Sequence, residues 1–213
     1  MKFFNQYSTF LRHLALPVLF VAVLGAGQTA SATTDDAARL VHHLGNQTIA
    51  ALQTPGLTAE QRETRFRGLL TQGFDLTFIG RFALGKYWRT ATPEQQAAYL
   101  NLFGEYIVQT YASRLGGYGG GTMTVVGARQ AGDKDVVVRT SITAAGGRTL
   151  VADWRVRASA NGYRIIDVMI EGISLAMTHR SEFAAVVKRD GIEGLLATLR
   201  DHTAKTQTTA ALF

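Results

Sequence analysis

Residues 163–183, YRIIDVMIEGISLAMTHRSEF, decide the fold. In the first half, Ile166, Val168 and Ile170 alternate with Asp167, Met169 and Glu171, the period-two pattern of a strand. Gly172 ends the alternation. Ser174 then stands where a helix N-cap belongs, ahead of the apolar Leu175, Met177 and Phe183. The stretch therefore reads as a strand running through a Gly-Ile-Ser corner into a helix. Asp167 is its anomaly: a carboxylate inside an apolar strand, and the one titratable group that reads as buried.

Three further strand-like runs precede it, at 122–128, 135–143 and 148–158, and the fourth occupies 163–171. Gly132-Asp133, Gly146-Gly147 and Asn161-Gly162 separate them as turn signals. Such short connections demand antiparallel pairing, so the prediction is a four-stranded meander. One face takes Val136, Val138, Ile142, Leu150, Ala152, Trp154 and Val156. The other carries Arg139, Asp153, Arg155 and Arg157 and faces water. A glycine run at 116–121, GGYGGG, reads as a hinge before the first strand.

Upstream, the period is helical. A helix over 33–53 places Leu40, Val41, Leu44, Thr48, Ile49 and Leu52 on one side, and Pro55-Gly56 ends it. Thr58 to Gln61 forms a capping-box pattern that opens a more polar helix to about residue 72. In the segment 74–88, Phe74, Phe78 and Phe82 recur every four residues as an aromatic ridge on one helix face. Thr92-Pro93-Glu94-Gln95 is the clearest helix start, and that helix runs to about 115 with a stripe of Tyr99, Leu100, Phe103, Tyr106, Ile107 and Tyr111. After the strands, two helices are predicted, 174–189 and 191–202, with a disordered tail over 203–213. The fold class is α+β: a twisted antiparallel sheet with helices packed on its apolar face.

The chain has 213 residues, no cysteine and a net charge of +6. Lys2 and Arg12 precede the apolar run 14–27, which is too short to span a bilayer comfortably, and Ala30-Ser31-Ala32 fits a small-residue cleavage site. Residues 1–32 are thus expected to be a signal peptide, with a mature N-terminus at Thr33 and a periplasmic destination. Residues 33–202 form one predicted domain. The mature part keeps 20 basic against 16 acidic residues. That mild excess suits anionic head groups or acidic partners and does not mark a nucleic-acid binder. A cysteine-free chain in an oxidising compartment relies on its core.

Catalytic chemistry finds little support. His42 and His43 point about 100° apart on a helix and do not chelate together, and no metal-ligand spacing occurs. GGYGGG precedes a strand and is followed by no Lys-Ser/Thr pair, so it is no phosphate loop. Ser174 reads as a cap. Asp167 suits a general base of a small-molecule lyase or isomerase, but no partner acid, base or oxyanion set accompanies it, and a carboxylate that braces the corner is favoured. The remaining signal is aromatic excess. Bulky rings either fill a core or frame a cavity, and the residues alone leave both open.

The stretch 163–183 resembles the MlaC, or toluene-tolerance, family of periplasmic lipid-binding proteins, including its hopanoid-associated branch. Asp167, Val168, Ile170, Glu171, Gly172, Ile173, Ser174, Leu175, Arg180 and Phe183 match one family segment. Phe74, Asp75, Leu84, Gly85 and Trp88, then Arg89, Ala91, Thr92, Glu94 and Gln95, are similar to a second. The sequence departs at His179, where an aromatic is common, and in its glycine-rich loop. The resemblance implies no enzyme and no cofactor. It implies a monomeric carrier that shuttles a phospholipid, or a hopanoid, between an outer-membrane lipoprotein complex and an inner-membrane ABC transporter complex, maintaining outer-membrane lipid asymmetry. Its pocket is expected between sheet and helices. The expected wall is Phe74, Phe78, Phe82, Trp88, Phe103, Tyr106, Tyr111, Val138, Trp154, Val168, Ile170 and Met177. Arg180 is expected near the mouth, facing a phosphate, or in an ordinary salt bridge. Each methylene moved from lipid to water costs about 0.8 kcal/mol, so exposing the roughly thirty of two tails costs on the order of 24 kcal/mol. Enclosure therefore calls for a cavity at the large end of the usual range.

Overall fold

The Thr33 hydroxyl accepts from the Asp36 N–H at 3.2 Å and caps α1, Thr34–Gln53. The computed structural model describes residues 33–54, 56–115, 121–144, 146–159 and 162–210. The expected signal peptide, most of the glycine run, Asn161 and residues 211–213 lie outside the described residues.

Helix α2, Ala59–Gly73, opens on the capping box: the Gln61 N–H donates to the Thr58 hydroxyl, and the Thr58 N–H donates to Gln61 Oε1. Helix α3 is shorter than the ridge suggested. It spans Leu76–Leu84, because the Asp75 carboxylate caps it by accepting from the Phe78 N–H at 2.8 Å. Phe74 is consequently not helical. Its backbone bridges Ile165, and the Asp75 N–H donates to the Ile165 carbonyl, tying α3 to the sheet. A 3-10 turn, Gly85–Arg89, leads to α4, Pro93–Leu115, which Thr92 and Gln95 cap reciprocally.

The sheet has five strands and not four: β1 Thr122–Gln130, β2 Asp135–Thr143, β3 Thr149–Ser159, β4 Gly162–Ile170 and β5 Ile173–Ser174, all antiparallel in chain order. The extra strand lies inside the expected corner. Glu171 (φ 49°) and Gly172 (φ 80°) form a two-residue turn with both residues left-handed, as a tight hairpin requires. Glycine adopts this freely. Glu171 does not, and it is held by a ring of two hydrogen bonds with Val151: its N–H donates to the Val151 carbonyl, and its carboxylate accepts from the Val151 N–H. Strand alternation alone does not reveal a two-residue strand, so the hairpin reads from sequence as a corner. Bulges between Val125 and Gly127 and between Arg155 and Val156 add local twist.

Helix α5, Leu175–Ala210, breaks at Gly191 (φ 72°, ψ −178°) into two helical halves, which meet where the two expected helices were to meet. That backbone region is open essentially to glycine alone. Helix continues past His202 to Ala210, since no breaker occurs over 203–210 and Thr203 is buried with its hydroxyl on the Arg200 carbonyl.

Two apolar clusters result. One joins α3, α4 and α5 through Leu84, Tyr99, Phe103, Phe183 and Leu196. The other joins α1 to the sheet through Val41, Val136, Val138, Val156 and Ile165. Phe74 packs against both. The opposite sheet face carries the expected arginines. Arg139 pairs with Asp153, while Arg155 and Arg157 converge on the buried Asp135.

Candidate functional site

Between the clusters lies a cavity of about 490 Å3. Helix α1 contributes Leu44, Gly45, Thr48 and Ile49, and α2 contributes Phe66, Leu69 and Leu70. Phe74, Leu76 and Ile79 come from the start of α3, Ile107 and Tyr111 from α4. The sheet supplies Gly121, Thr122, Met123, Ile142, Thr143, Leu150, Trp154, Asp167, Val168 and Ile170, and α5 supplies Leu175, Ala176 and His179. The volume falls mid-range for ligand sites, below the large size expected from two tails.

Among the described residues, no Lys or Arg lines the cavity. Asp167 accepts from the Ser174 hydroxyl at 2.6 Å and from the Ala176 N–H at 3.1 Å. The Ser174 hydroxyl in turn accepts from the Met177 N–H at 3.0 Å, the expected cap. Asp167 thus braces the joint between β4 and α5, and it is half-buried and not fully buried. Among the described residues, the buried acidic and basic side chains are Asp135 and His179. His179 Nε2 lies 3.0 Å from the Tyr111 hydroxyl, and its Nδ1 lies 3.3 Å from Glu182. His179 and Tyr111 line the cavity together with Asp167.

The structure brings five of the expected wall residues to the cavity: Phe74, Tyr111, Trp154, Val168 and Ile170. The Trp154 indole N–H donates to the Thr140 hydroxyl, which fixes its ring. The other expected residues lie elsewhere. Phe78 sits beneath the Arg157 guanidinium, Phe82 beneath Arg180 and Trp88 beneath Arg81. The ridge misses because α3 turns Ile79, Gly80, Ala83 and Leu84 inward instead. Phe103 is fully buried against Tyr99 and Phe183, and Tyr106 packs on His179, His202 and Phe183. Val138 is fully buried in the sheet–α1 cluster, and Met177 is 51% exposed. Arg180 is not at the cavity. Its guanidinium stacks on Phe82 at 4.9 Å, lies over Gly85 and reaches the Phe82 carbonyl at 3.5 Å, clasping the C-terminal end of α3.

The cavity residues on α1 were visible as a helical stripe but read as core. Phe66, Leu69 and Leu70 hid in a polar helix. Among the described residues there is no cluster of His, Asp or Glu able to hold a metal, and no helix long and apolar enough to cross a membrane.

A single-sheet α+β scaffold around an apolar cavity defines a ligand-holding class of protein. A model of the MlaC protein family matches residues 42–201, and the chain belongs to that family. Among its relatives, the intermembrane phospholipid transport system binding protein MlaC of Haemophilus influenzae is 24% identical over 130 residues, 59% of this chain and 61% of that protein. Toluene tolerance protein ttg2D of Pseudomonas putida is 26% identical over 106 residues, 50% of this chain and 49% of that protein. The chain thus matches 61% and 49% of the length of these two relatives. A solved structure of the phospholipid-binding protein from Ralstonia solanacearum, in complex with a phospholipid, superposes with a TM-score of 0.73 at 29% identity, covering 81% of this chain and 99% of that one.

Proposed function

We propose that this protein is a periplasmic lipid carrier, not an enzyme, which takes a phospholipid from one membrane complex and delivers it to another. The observation that carries the reading is the apolar cavity itself, walled by Phe74, Trp154, Val168 and Ile170, with no Lys or Arg among the described residues that line it. Such a wall suits acyl tails and offers no ion pair to a phosphate, which leaves the head group outside. The family membership and the phospholipid complex of the Ralstonia relative support the same ligand class. Tail transfer through water costs about 0.8 kcal/mol per methylene, so the tails stay inside until the mouth meets an acceptor. The donor and acceptor are an outer-membrane lipoprotein complex and an inner-membrane ABC transporter complex. A two-tailed lipid needs more room than the cavity shows, so loading displaces part of the wall. The competing use of Asp167 as a base is disfavoured, because both its oxygens accept hydrogen bonds from the joint it braces.

A vesicle assay tests the proposal. Purified protein should move fluorescent phospholipid from donor to acceptor vesicles at a rate proportional to protein concentration. No transfer above the spontaneous rate, with folded protein, counts against a carrier. Hopanoid in place of phospholipid in the isolated protein would shift the ligand to that branch.

A further inference from the structure

One wall of the cavity is a contact between a glycine and a methionine. Gly45 lies on α1 and Met123 on β1, and both line the cavity. A Cβ at Gly45 would fall 1.8 Å from Met123 Cε and 2.6 Å from Sδ. The end of the thioether therefore occupies the space that any other residue at 45 would fill with its own side chain. A second contact of this kind holds the same helix: a Cβ at Gly73 of α2 would fall 2.2 Å from Leu44 Cδ1, and Leu44 also lines the cavity. Met123 pairs across the strands with Ile142, another lining residue. The β1 backbone is fixed by pairing with β2, so a thioether pushed off α1 turns toward the cavity. Methionine adapts to such a change, having three rotatable bonds and a polarizable sulfur.

We propose that the Gly45–Met123 contact sets how long an acyl chain the cavity accepts: the hollow over Gly45 keeps the thioether out of the tail's path. This rests on the carrier reading above. Filling the hollow with Gly45→Ala moves Met123 inward and shortens the accepted chain. Removing the thioether with Met123→Ala lengthens it. G45A should fold, since alanine is the better helix former and the displaced atoms are the far end of a flexible side chain, and M123A only truncates a half-buried side chain on a paired strand.

The test compares the full-length wild type, G45A, M123A and the double variant, each expressed in one Gram-negative host and purified without detergent. Acyl chains from the co-purified lipid are measured by mass spectrometry. G45A should lower the mean chain length by about two carbons, matching the displaced Sδ and Cε atoms. M123A should raise it, and in the M123A background G45A should have no effect. Lipid-loaded proteins with one chain-length profile across all four overturn the inference and leave the carrier reading standing. A wild type that carries no lipid overturns the carrier reading, and this inference with it.

Discussion

At the scale of single residues, the sequence signals that drew the eye serve architecture. Asp167 joins β4 to α5, accepting from the Ser174 hydroxyl and the Ala176 N–H. Asp167→Ala should lower stability by about 1–2 kcal/mol in urea denaturation, and Asp167→Asn by less, with bound lipid retained in both. Folded Asn variant stripped of lipid would contradict the bracing role. Arg180 was expected at a phosphate and instead stacks on Phe82 beside Gly85. Arg180→Ala should cost about 1 kcal/mol and leave phospholipid content unchanged. A selective loss of anionic lipid would return Arg180 to the mouth. The sequence singles out Asp167 as a brace for the corner and Arg180 as a charge of open role. It does not show what they touch, since the contacts of Arg180 lie almost a hundred positions away.

Elements were more legible than sites. The capping boxes at Thr58 and Thr92 and the alternation in β2 to β4 are local patterns, and each was readable. What was missed depends on backbone choices that no period records. The Glu171-Gly172 turn hides β5, and the Asp75 cap removes Phe74 from its helix. The break in α5, by contrast, was readable, because Gly191 stands between the two helices expected there. Alanine favours helix over glycine, yet Gly191→Ala should destabilise the chain by about 1–3 kcal/mol, because φ 72° with ψ −178° is closed to a residue with a Cβ. A thermal midpoint that rises in G191A would show that the break is dispensable.

The outer face of the sheet makes a pH prediction. Burial pushes the Asp135 carboxyl up, but hydrogen bonds from Arg157 and Arg155 and the charges of both outweigh it and hold it below the usual carboxylate range. A depressed value means stability that is present above the unfolded carboxylate range and lost as pH falls through the folded value. Asp135→Asn should therefore cost about 1–2 kcal/mol at pH 7, discounted because both guanidinium groups are partly exposed, and should flatten the acid-induced loss of stability below about pH 4. Equal acid sensitivity in wild type and D135N, followed by denaturation from pH 6 to 2, would contradict it.

For the whole molecule, the α+β class followed from the strand and helix periods, whereas a pocket between sheet and helices was implied only by the family resemblance. The cavity's identity as a space, and not as solid core, did not follow. Aromatic rings at 78, 82, 88 and 103 read the same whether they fill or frame, and the structure has them outside the wall. The wall is drawn instead from many elements that contribute few residues each, which no stretch of sequence displays together. The central claim is that this cavity holds lipid. Native mass spectrometry of detergent-free protein from the periplasm tests it most directly. The account predicts a species heavier than the bare chain by the mass of one membrane lipid, near one per protein, released on denaturation. A folded protein found only at its bare mass, in every lipid-rich host tried, would contradict it.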